Sequence, residues 1–315
     1  MSRAFVFPGQ GSQSVGMLAE FAAADSLVIE TYAEASEILG YDLWQLVSQG
    51  PAESLNETRH QQPAMLAADV ATWRLWRKAG GVVPDVVCGH SLGEFSALVA
   101  AEAITFRDAV DVVSTRAALM QEAVPAGVGA MAAVLGLDDA DVAAACQLAA
   151  QGEVVEPVNF NSPGQVVIAG HATAVARAIE ECKAKGAKRA VHLPMTVPSH
   201  SSLMQPAAQA FGKRLAALDI KPPAIAFWSP VDAARHTDSA DIRALLQRQL
   251  ASAVRWSDLV RTLLAQGSRD LIECGPGKVL TSLNRRIDKD PSIRCLALQD
   301  PVSLAAALAT LAGPT

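Results

Sequence analysis

The sequence predicts an α/β protein into which a smaller α+β unit is inserted. Short apolar runs of strand length alternate with longer segments of helical periodicity along most of the 315 residues. Glycine and proline at residues 125–129 interrupt this alternation, and the roughly 70 residues that follow have the strand and helix order of a ferredoxin-like unit. Half of the residues are hydrophobic, which suffices for one large core and a second, smaller one.

The first 125 residues supply the opening elements of the larger unit. Two buried strands are predicted at Ala4–Phe7 and Val82–Cys88, because both runs are short and apolar. Helical spacing of apolar residues predicts three helices, at Ala64–Lys78, Leu92–Ala101 and Arg107–Ala123.

The inserted unit is predicted to span residues 126–196. Its strands are expected at Met131–Leu135, Val154–Val158, Gln165–Ala169 and Lys188–Leu193, and its helices at Asp138–Ala150 and Ala172–Lys185. The resulting order, β-α-β-β-α-β, is typical of a ferredoxin-like fold. Residues 1–125 and 197–315 would then form one larger α/β domain.

The α/β pattern continues after residue 197. Helices are predicted at Ser201–Leu218 and Asp241–Leu250, and strands at Ala224–Trp228 and Leu271–Cys274. The last strand stops at Gly275-Pro276-Gly277, and a further helix opens at Lys278.

Composition narrows the class of protein. With 26 Lys and Arg against 32 Asp and Glu, the net charge of −6 leaves no basic surface for nucleic acid or for a membrane surface. The five cysteines are scattered and form no CxxC pair, which argues against a disulfide framework or a zinc site and predicts no metal. No secretory signal and no apolar run of about 18 residues is found, so a soluble, cytoplasmic protein is expected.

One motif carries chemistry. Gly89-His90-Ser91-Leu92-Gly93 fits G-x-S-x-G between a predicted strand and a predicted helix, the setting of a nucleophile elbow. Such a turn exposes the Ser91 hydroxyl at a helix N-terminus, where backbone N–H groups can stabilise an oxyanion. The alternative is a glycine-rich loop with an incidental serine.

A serine nucleophile needs a base, and His200 is the leading candidate. It precedes a predicted helix, and the positive end of the helix dipole would favour a neutral imidazole. His90 adjoins Ser91, but side chains of consecutive residues usually diverge at a sharp turn. A capping or surface histidine is the competing interpretation of His200. No acid stands out as a third triad member, so a Ser–His dyad oriented by a backbone carbonyl is predicted.

Arg116 occupies the apolar face of its predicted helix, between Val112 and Met120. An inward guanidinium requires an anion. That anion is either a buried Asp or Glu in a structural ion pair, or a substrate carboxylate held bidentately.

Two glycine-rich loops follow strands and should lie on the Ser91 edge of the sheet. They are Pro8-Gly9-Gln10-Gly11 and Gly275-Pro276-Gly277, and neither has the P-loop pattern. Gln10 could donate to an oxyanion, although a glutamine in a turn is more often solvated.

Taken together, these segments resemble the malonyl-CoA:acyl carrier protein transacylases of fatty-acid synthesis and the acyltransferase domains of polyketide synthases. The matching segments follow the family's order from residue 5 to residue 277: Phe5–Gln13, Gln62-Pro63, Gly89–Glu94, Arg116 with Met120-Gln121, Asn161–Gln165, His200–Met204, Gln249-Leu250 and Gly275–Gly277.

The resemblance implies a fold, an activity and a role for each site residue. The fold would be a hydrolase-like α/β catalytic domain, with a mostly parallel sheet and an inserted ferredoxin-like α+β subdomain. A malonyl group would pass from malonyl-CoA to holo acyl carrier protein, without a cofactor. Independently of the resemblance, we expect a monomer. The implied roles are Ser91 as nucleophile, His200 as base, the N–H groups of Gln10 and Leu92 as oxyanion hole, Arg116 as malonyl carboxylate ligand, the Gln249 carbonyl as partner of His200, and Gln62 in the pocket lining.

Two positions depart from the family pattern. Many members have Phe where Ser199 precedes the histidine, which bears on acyl selectivity. Pro is usual at the position of Ala253, which bears on loop rigidity.

Other functions remain open from the residues alone. A serine hydrolase or thioesterase could use the same elbow, and a non-catalytic scaffold could keep the fold. Lys278, Arg285 and Arg286 are candidates for meeting an acidic carrier protein, or form an ordinary solvated helix face.

Overall fold

The structure, a computed structural model, describes residues 2–125 and 127–312. Its ten strands within these ranges are β1 (Ser2–Phe7), β2 (Val86–Gly89), β3 (Gly129–Leu135), β4 (Val155–Ser162), β5 (Gln165–His171), β6 (Arg189–His192), β7 (Ala226–Ser229), β8 (Ala234–His236), β9 (Ser268–Glu273) and β10 (Arg294–Ala297). The helices of the same ranges are α1 (Ala19–Ala24), α2 (Leu27–Leu39), α3 (Leu43–Gln49), α4 (Ala52–Leu55), α5 (Thr58–Lys78), α6 (Gly93–Ala100), α7 (Phe106–Glu122), α8 (Asp139–Ala150), α9 (Ala172–Ala184), α10 (Gln205–Ala216), α11 (Ser239–Arg248), α12 (Trp256–Ala265), α13 (Val279–Ile287) and α14 (Pro301–Leu311).

Six strands form the main sheet, in the order β10-β9-β1-β2-β7-β8. Every neighbouring pair is parallel except β7 and β8. Parallel strands are apolar on both faces because helices cover both sides of the sheet. In β1, Phe5 and Phe7 enter the large core on one side, while Ala4 and Val6 enter a second core on the other. The predicted α/β fold with a mostly parallel sheet is therefore confirmed.

A second sheet has the order β4-β5-β3-β6, and all of its neighbours are antiparallel. The helices α8 and α9 pack on it around a separate core that includes Val134, Val142, Ile168 and Ile179. Its first strand lies between its third and fourth, as in a ferredoxin-like unit. The domain boundaries at 125/126 and 196/197 stay a prediction, and residues 1, 126 and 313–315 lie outside the described residues.

One stretch of backbone joins the two sheets. Val254, on the loop before α12, donates its N–H to the Val158 carbonyl at 2.8 Å and accepts from the Phe160 N–H at 2.9 Å. This bridge beside Asn159 continues the small sheet into the loop that carries Gln249 and Ser252. The small unit is thus held against the Ser91 edge of the main sheet.

Several predicted bounds shift. The strand expected from Val82 begins only at Val86, after Pro84, which cannot donate to the ladder. The helix expected from Ala64 begins at Thr58 and contains Pro63. The helix expected from Ser201 starts as a 3₁₀ turn at Ser202–Met204 and is α-helical from Gln205.

The remaining elements were not assigned from the sequence. They include α1 to α4, which cover the large core before α5, the edge strands β8 and β10, and the helices α12 and α14. None of the helices within the described ranges is both long and apolar enough to cross a bilayer.

Candidate active site

Ser91 lies in the turn between β2 and α6, with φ at 54°. This left-handed conformation is unusual for a residue with a Cβ and marks a strained elbow. The flanking glycines are required by packing. A Cβ on Gly89 would lie 1.9 Å from the Gly93 carbonyl carbon, and one on Gly93 would lie 2.1 Å from the Phe7 oxygen. The two glycines of the G-x-S-x-G pattern are therefore required because neighbouring backbone lies too close to leave room for a Cβ.

Gly93→Ala should destabilise the protein by about 3 kcal/mol, because the new methyl group meets the backbone of β1 and can be accommodated only by moving the elbow. Urea unfolding followed by circular dichroism measures the change. Gly212→Ala on α10 is the matched control, since its Cβ would meet only the flexible amide end of Gln247, at 2.5 Å. The control should change stability by less than about 1 kcal/mol. An unaltered midpoint for Gly93→Ala would show that the elbow tolerates a side chain.

His200 contacts Ser91 directly. Its Nε2 lies 2.8 Å from the Ser91 Oγ, although 109 residues separate the two in sequence. Its Nδ1 lies 2.9 Å from the Gln249 carbonyl oxygen and 3.1 Å from that of Ser252. Carbonyls only accept, so Nδ1 carries the proton and Nε2 is free to accept the serine hydroxyl proton. The predicted juxtaposition of hydroxyl, imidazole and backbone carbonyl is present.

The neutral state of His200 has a different cause from the one expected. His200 precedes the 3₁₀ turn, with φ at 68° and its N–H bonded to the Leu250 carbonyl at 3.0 Å. Burial, followed by the Arg116 charge, lowers the pKa of His200 to about 3. Desolvation of the cationic form, rather than a helix dipole, therefore keeps the imidazole uncharged at neutral pH.

Arg116 is completely buried on α7, and its guanidinium reaches three oxygens. Nη1 donates to Gln62 Oε1 at 2.6 Å, and Nη2 donates to Gln249 Oε1 at 2.8 Å and to Ser91 Oγ at 3.1 Å. All three acceptors are uncharged. No ion pair within the described ranges includes Arg116, so the structural ion pair considered from the sequence is not formed at contact distance. Burial lowers the pKa of Arg116 to about 10, which leaves it charged at neutral pH.

Gln249 links the whole group. Its backbone carbonyl accepts from His200, its Oε1 accepts from Arg116, and its Nε2 donates to the Ser91 carbonyl at 2.9 Å. The amide orientation is unambiguous because arginine only donates and a carbonyl only accepts. Sequence resemblance implied the carbonyl contact alone. Gln62, expected in the pocket lining, lies behind Arg116 and holds it.

The two expected oxyanion donors flank the serine. Leu92 immediately precedes α6, and Gln10 lies in the loop after β1. Across residues 2–125 and 127–312, neither backbone N–H donates to a protein acceptor. The loop comes close because Gly9 lacks a Cβ, which would lie 2.4 Å from the His90 carbonyl oxygen. The Gln10 side chain is occupied elsewhere, donating to Gln61 Oε1 at 2.5 Å.

A cavity of about 330 Å³ opens above Ser91 and His200, between the two sheets. Its apolar wall comes mainly from the small unit, and amide side chains are set into it. The wall residues are Met131, Ala133, Val167, Leu193, Met195, Val279, Asn159, Asn161, Gln165 and Ser199. Asn161 accepts from His90 Nε2 at 2.9 Å and so ties the elbow to β4. No role for these amides is predicted from the sequence, although Asn161 and Gln165 stand in a matching segment.

Lys278 immediately precedes α13, and Arg285 and Arg286 lie in its last turn; all three are exposed. Arg286 donates to Gln165 Oε1 at 2.9 Å, beside the cavity, and Arg285 donates to the Cys295 carbonyl at 2.9 Å. Their part in carrier docking stays a prediction.

Comparison with known proteins places this arrangement in a family. The acyl transferase domain family matches residues 4–305. The malonyl CoA-acyl carrier protein transacylase of Salmonella typhimurium is 56% identical over 97% of this chain and 98% of its own length. An acyl carrier protein S-malonyltransferase from Vibrio cholerae superposes with a TM-score of 0.94 at 55% identity, covering 98% of this chain and 100% of that one.

A third relative was solved with a partner. A malonyl-transacylase in complex with its type II PKS acyl-carrier protein has a TM-score of 0.96 and 50% identity, covering 98% of this chain and 100% of that one. The resemblance drawn from the sequence motifs is thereby confirmed. This chain belongs to the acyl transferase domain family, with malonyl CoA-acyl carrier protein transacylases as its relatives.

Proposed function

We propose that this protein transfers a malonyl group from malonyl-CoA to the phosphopantetheine thiol of holo acyl carrier protein, by a ping-pong mechanism through an ester on Ser91. The observation that carries the proposal is that a hydroxyl, an imidazole and a guanidinium meet at one point. One hydroxyl oxygen lies 2.8 Å from a neutral imidazole nitrogen and 3.1 Å from a buried guanidinium nitrogen. Malonyl-CoA and acyl carrier protein, which the relatives' names give, would supply a thioester and a thiol that can react with these groups.

In the first half-reaction, His200 Nε2 takes the Ser91 proton while Oγ attacks the malonyl thioester carbonyl. The oxyanion is stabilised by the N–H groups of Leu92 and Gln10, each worth about 3 kcal/mol. Collapse breaks the C–S bond, and the CoA thiolate leaves with the proton from His200. The carrier thiol then gives its proton to His200 and attacks the ester carbonyl. Collapse of that intermediate returns the proton to Ser91.

Arg116 fits the malonyl carboxylate for a geometric reason. In a malonyl ester, only one methylene separates the carboxylate from the carbonyl carbon bonded to Oγ. A guanidinium that already contacts Oγ can therefore turn its N–H groups to that carboxylate. Bidentate pairing would replace the neutral acceptors that Arg116 has in the resting site.

The setting of this activity is also part of the proposal. We infer a monomeric, cytoplasmic protein that serves fatty-acid synthesis. Support for the pathway comes from the names of the relatives, which join malonyl CoA to acyl carrier protein.

Intact-mass measurement after mixing with malonyl-, acetyl- and methylmalonyl-CoA tests the function. We expect a malonyl adduct on the peptide containing Ser91, and its transfer to holo acyl carrier protein on mixing. A serine hydrolase would instead release free malonate, so both products should be measured in the same assay. Free malonate as the main product, or no adduct on Ser91, would overturn the proposal.

A further inference from the structure

A second ionisable side chain is buried beneath the nucleophile. Glu94 lies in the first turn of α6 and is completely buried. Its backbone N–H donates to the Ser91 carbonyl at 3.0 Å, beside the donor from Gln249. Its carboxyl Oε1 accepts from Ser229 Oγ at 3.0 Å, while Oε2 has no hydrogen-bond partner within the described ranges. The proposed mechanism leaves this group without a role.

The charged group that acts most directly on Glu94 is Arg116. The two interact through space, but they lie beyond ion-pair distance, and the guanidinium is bonded to amide and hydroxyl oxygens instead. Asp232, in the turn after β7, adds a negative field, although it is itself paired with Arg248 and His236.

Other ionisable groups around α6 are uncharged at neutral pH or point elsewhere. On β2, burial keeps the Cys88 thiol protonated by raising its pKa. On α5, burial raises the pKa of Asp69, which accepts from Ser96 on a different part of α6. His200 is neutral for the reason given above.

A carboxyl in this setting is poorly suited to carry charge. A buried carboxylate needs several donors or a contacting cation to offset desolvation. The Glu94 carboxyl accepts one hydrogen bond, from Ser229, and the Gln249 amide acts on it less strongly than Ser229 because its Nε2 donates to the Ser91 carbonyl. Burial raises the pKa of Glu94 to about 8, against the opposing effects of Ser229, Gln249 and Arg116. At neutral pH the acid is therefore mostly protonated.

We propose that Glu94 is a positioning residue that makes the site selective for acyl groups bearing a carboxylate. Uncharged, it leaves the full positive charge of Arg116 for the substrate carboxylate. Ionised, it competes with that carboxylate for the same guanidinium. This inference rests on the proposed function, since it concerns how the malonyl group is held.

The two events are thermodynamically linked. A substrate carboxylate at Arg116 disfavours a second negative charge nearby, so malonyl binding promotes protonation of Glu94. By reciprocity, ionisation of Glu94 weakens malonyl binding. The pKa of Glu94 is raised, so the favourable protonated form is present below pH 8 and is lost as the pH rises through that value.

The test is the first half-reaction alone, without carrier protein. Rates of acyl-enzyme formation from malonyl-CoA and acetyl-CoA are measured by rapid quench and intact mass between pH 6.5 and 9. Arg116 stays charged and His200 stays neutral in this window, so neither obscures the effect. The malonyl-to-acetyl ratio of kcat/KM should fall about fivefold from pH 7 to pH 9.

Two variants assign the effect to Glu94. In Glu94→Gln, an isosteric uncharged replacement, the ratio should no longer depend on pH. In Ser229→Ala, the Glu94 carboxylate loses its hydroxyl donor, which raises the pKa of Glu94. The malonyl-to-acetyl ratio should then fall at a higher pH than in the wild type. If Glu94→Gln does not fold, the inference is tested by Ser229→Ala alone: the pH at which the malonyl-to-acetyl ratio falls should be higher than in the wild type.

Two outcomes would overturn the inference: a wild-type ratio that stays flat from pH 6.5 to 9, or an unaltered fall in Glu94→Gln. Both are distinct from failure of the proposed function, in which wild-type Ser91 acquires no malonyl adduct at any pH.

Discussion

Ser91→Ala should acquire no malonyl adduct and should lower transfer to acyl carrier protein by about 10⁴-fold or more. Without Oγ no ester can form, and the oxyanion donors and His200 can then assist only direct attack by the carrier thiol or water. Alanine keeps the Cβ, so the elbow should retain its backbone and the protein should stay folded. Intact mass, a transfer assay and thermal unfolding together measure these effects.

Ser48→Ala provides the control for this substitution. The Ser48 hydroxyl donates to the Trp44 carbonyl within α3, far from the cavity, and its loss should leave the adduct in place. Transfer at near wild-type rate by Ser91→Ala would reject the covalent scheme.

Arg116→Ala should lower kcat/KM for malonyl-CoA about 10³-fold, while acetyl-CoA is affected far less. Removing one partner of a buried, hydrogen-bonded charge pair costs about 4 kcal/mol, and each 1.36 kcal/mol is tenfold in rate. The comparison of acyl groups separates this loss from general damage, because acetyl lacks the carboxylate. Both rates are measured as acyl-enzyme formation.

Arg116→Lys is the matched variant for geometry. Lysine keeps the charge but loses the planar fork that can serve Gln62, Gln249 and a carboxylate together. Its malonyl rate should lie between those of wild type and Arg116→Ala. Equal malonyl rates in wild type and Arg116→Ala would rule out the carboxylate role.

The parts of the site that local sequence pattern predicts are those with a local physical cause. Strand, glycine, serine, glycine and helix in succession predict an elbow at Ser91. Arg116 is conspicuous because a guanidinium on an apolar helix face is costly. Local pattern does not distinguish His200 from a surface histidine, and its 2.8 Å contact with Ser91 depends on the fold.

The rest depends on contacts between distant residues. The side chain of Gln249 reaches a carbonyl 158 residues away, and no periodicity encodes that contact. Glu94 stands in the matching segment Gly89–Glu94, but an acidic residue in a helical first turn is common and predicts no burial. Its burial follows from how α6 packs under the sheet, which the sequence alone does not reveal. The helices α1 to α4 are likewise not predicted; α1, α3 and α4 are short, and short helices take most of their stability from tertiary packing.

The six residues from Gln249 to Val254 serve both halves of the molecule. At one end, two carbonyls clamp the imidazole, and at the other, Val254 extends the small sheet by two hydrogen bonds. A rigid tilt of the small sheet that widens the substrate entrance would therefore also displace His200, the proton acceptor. Access to the serine is thereby coupled to its reactivity through this backbone segment, in addition to the His90–Asn161 contact that ties the elbow to β4.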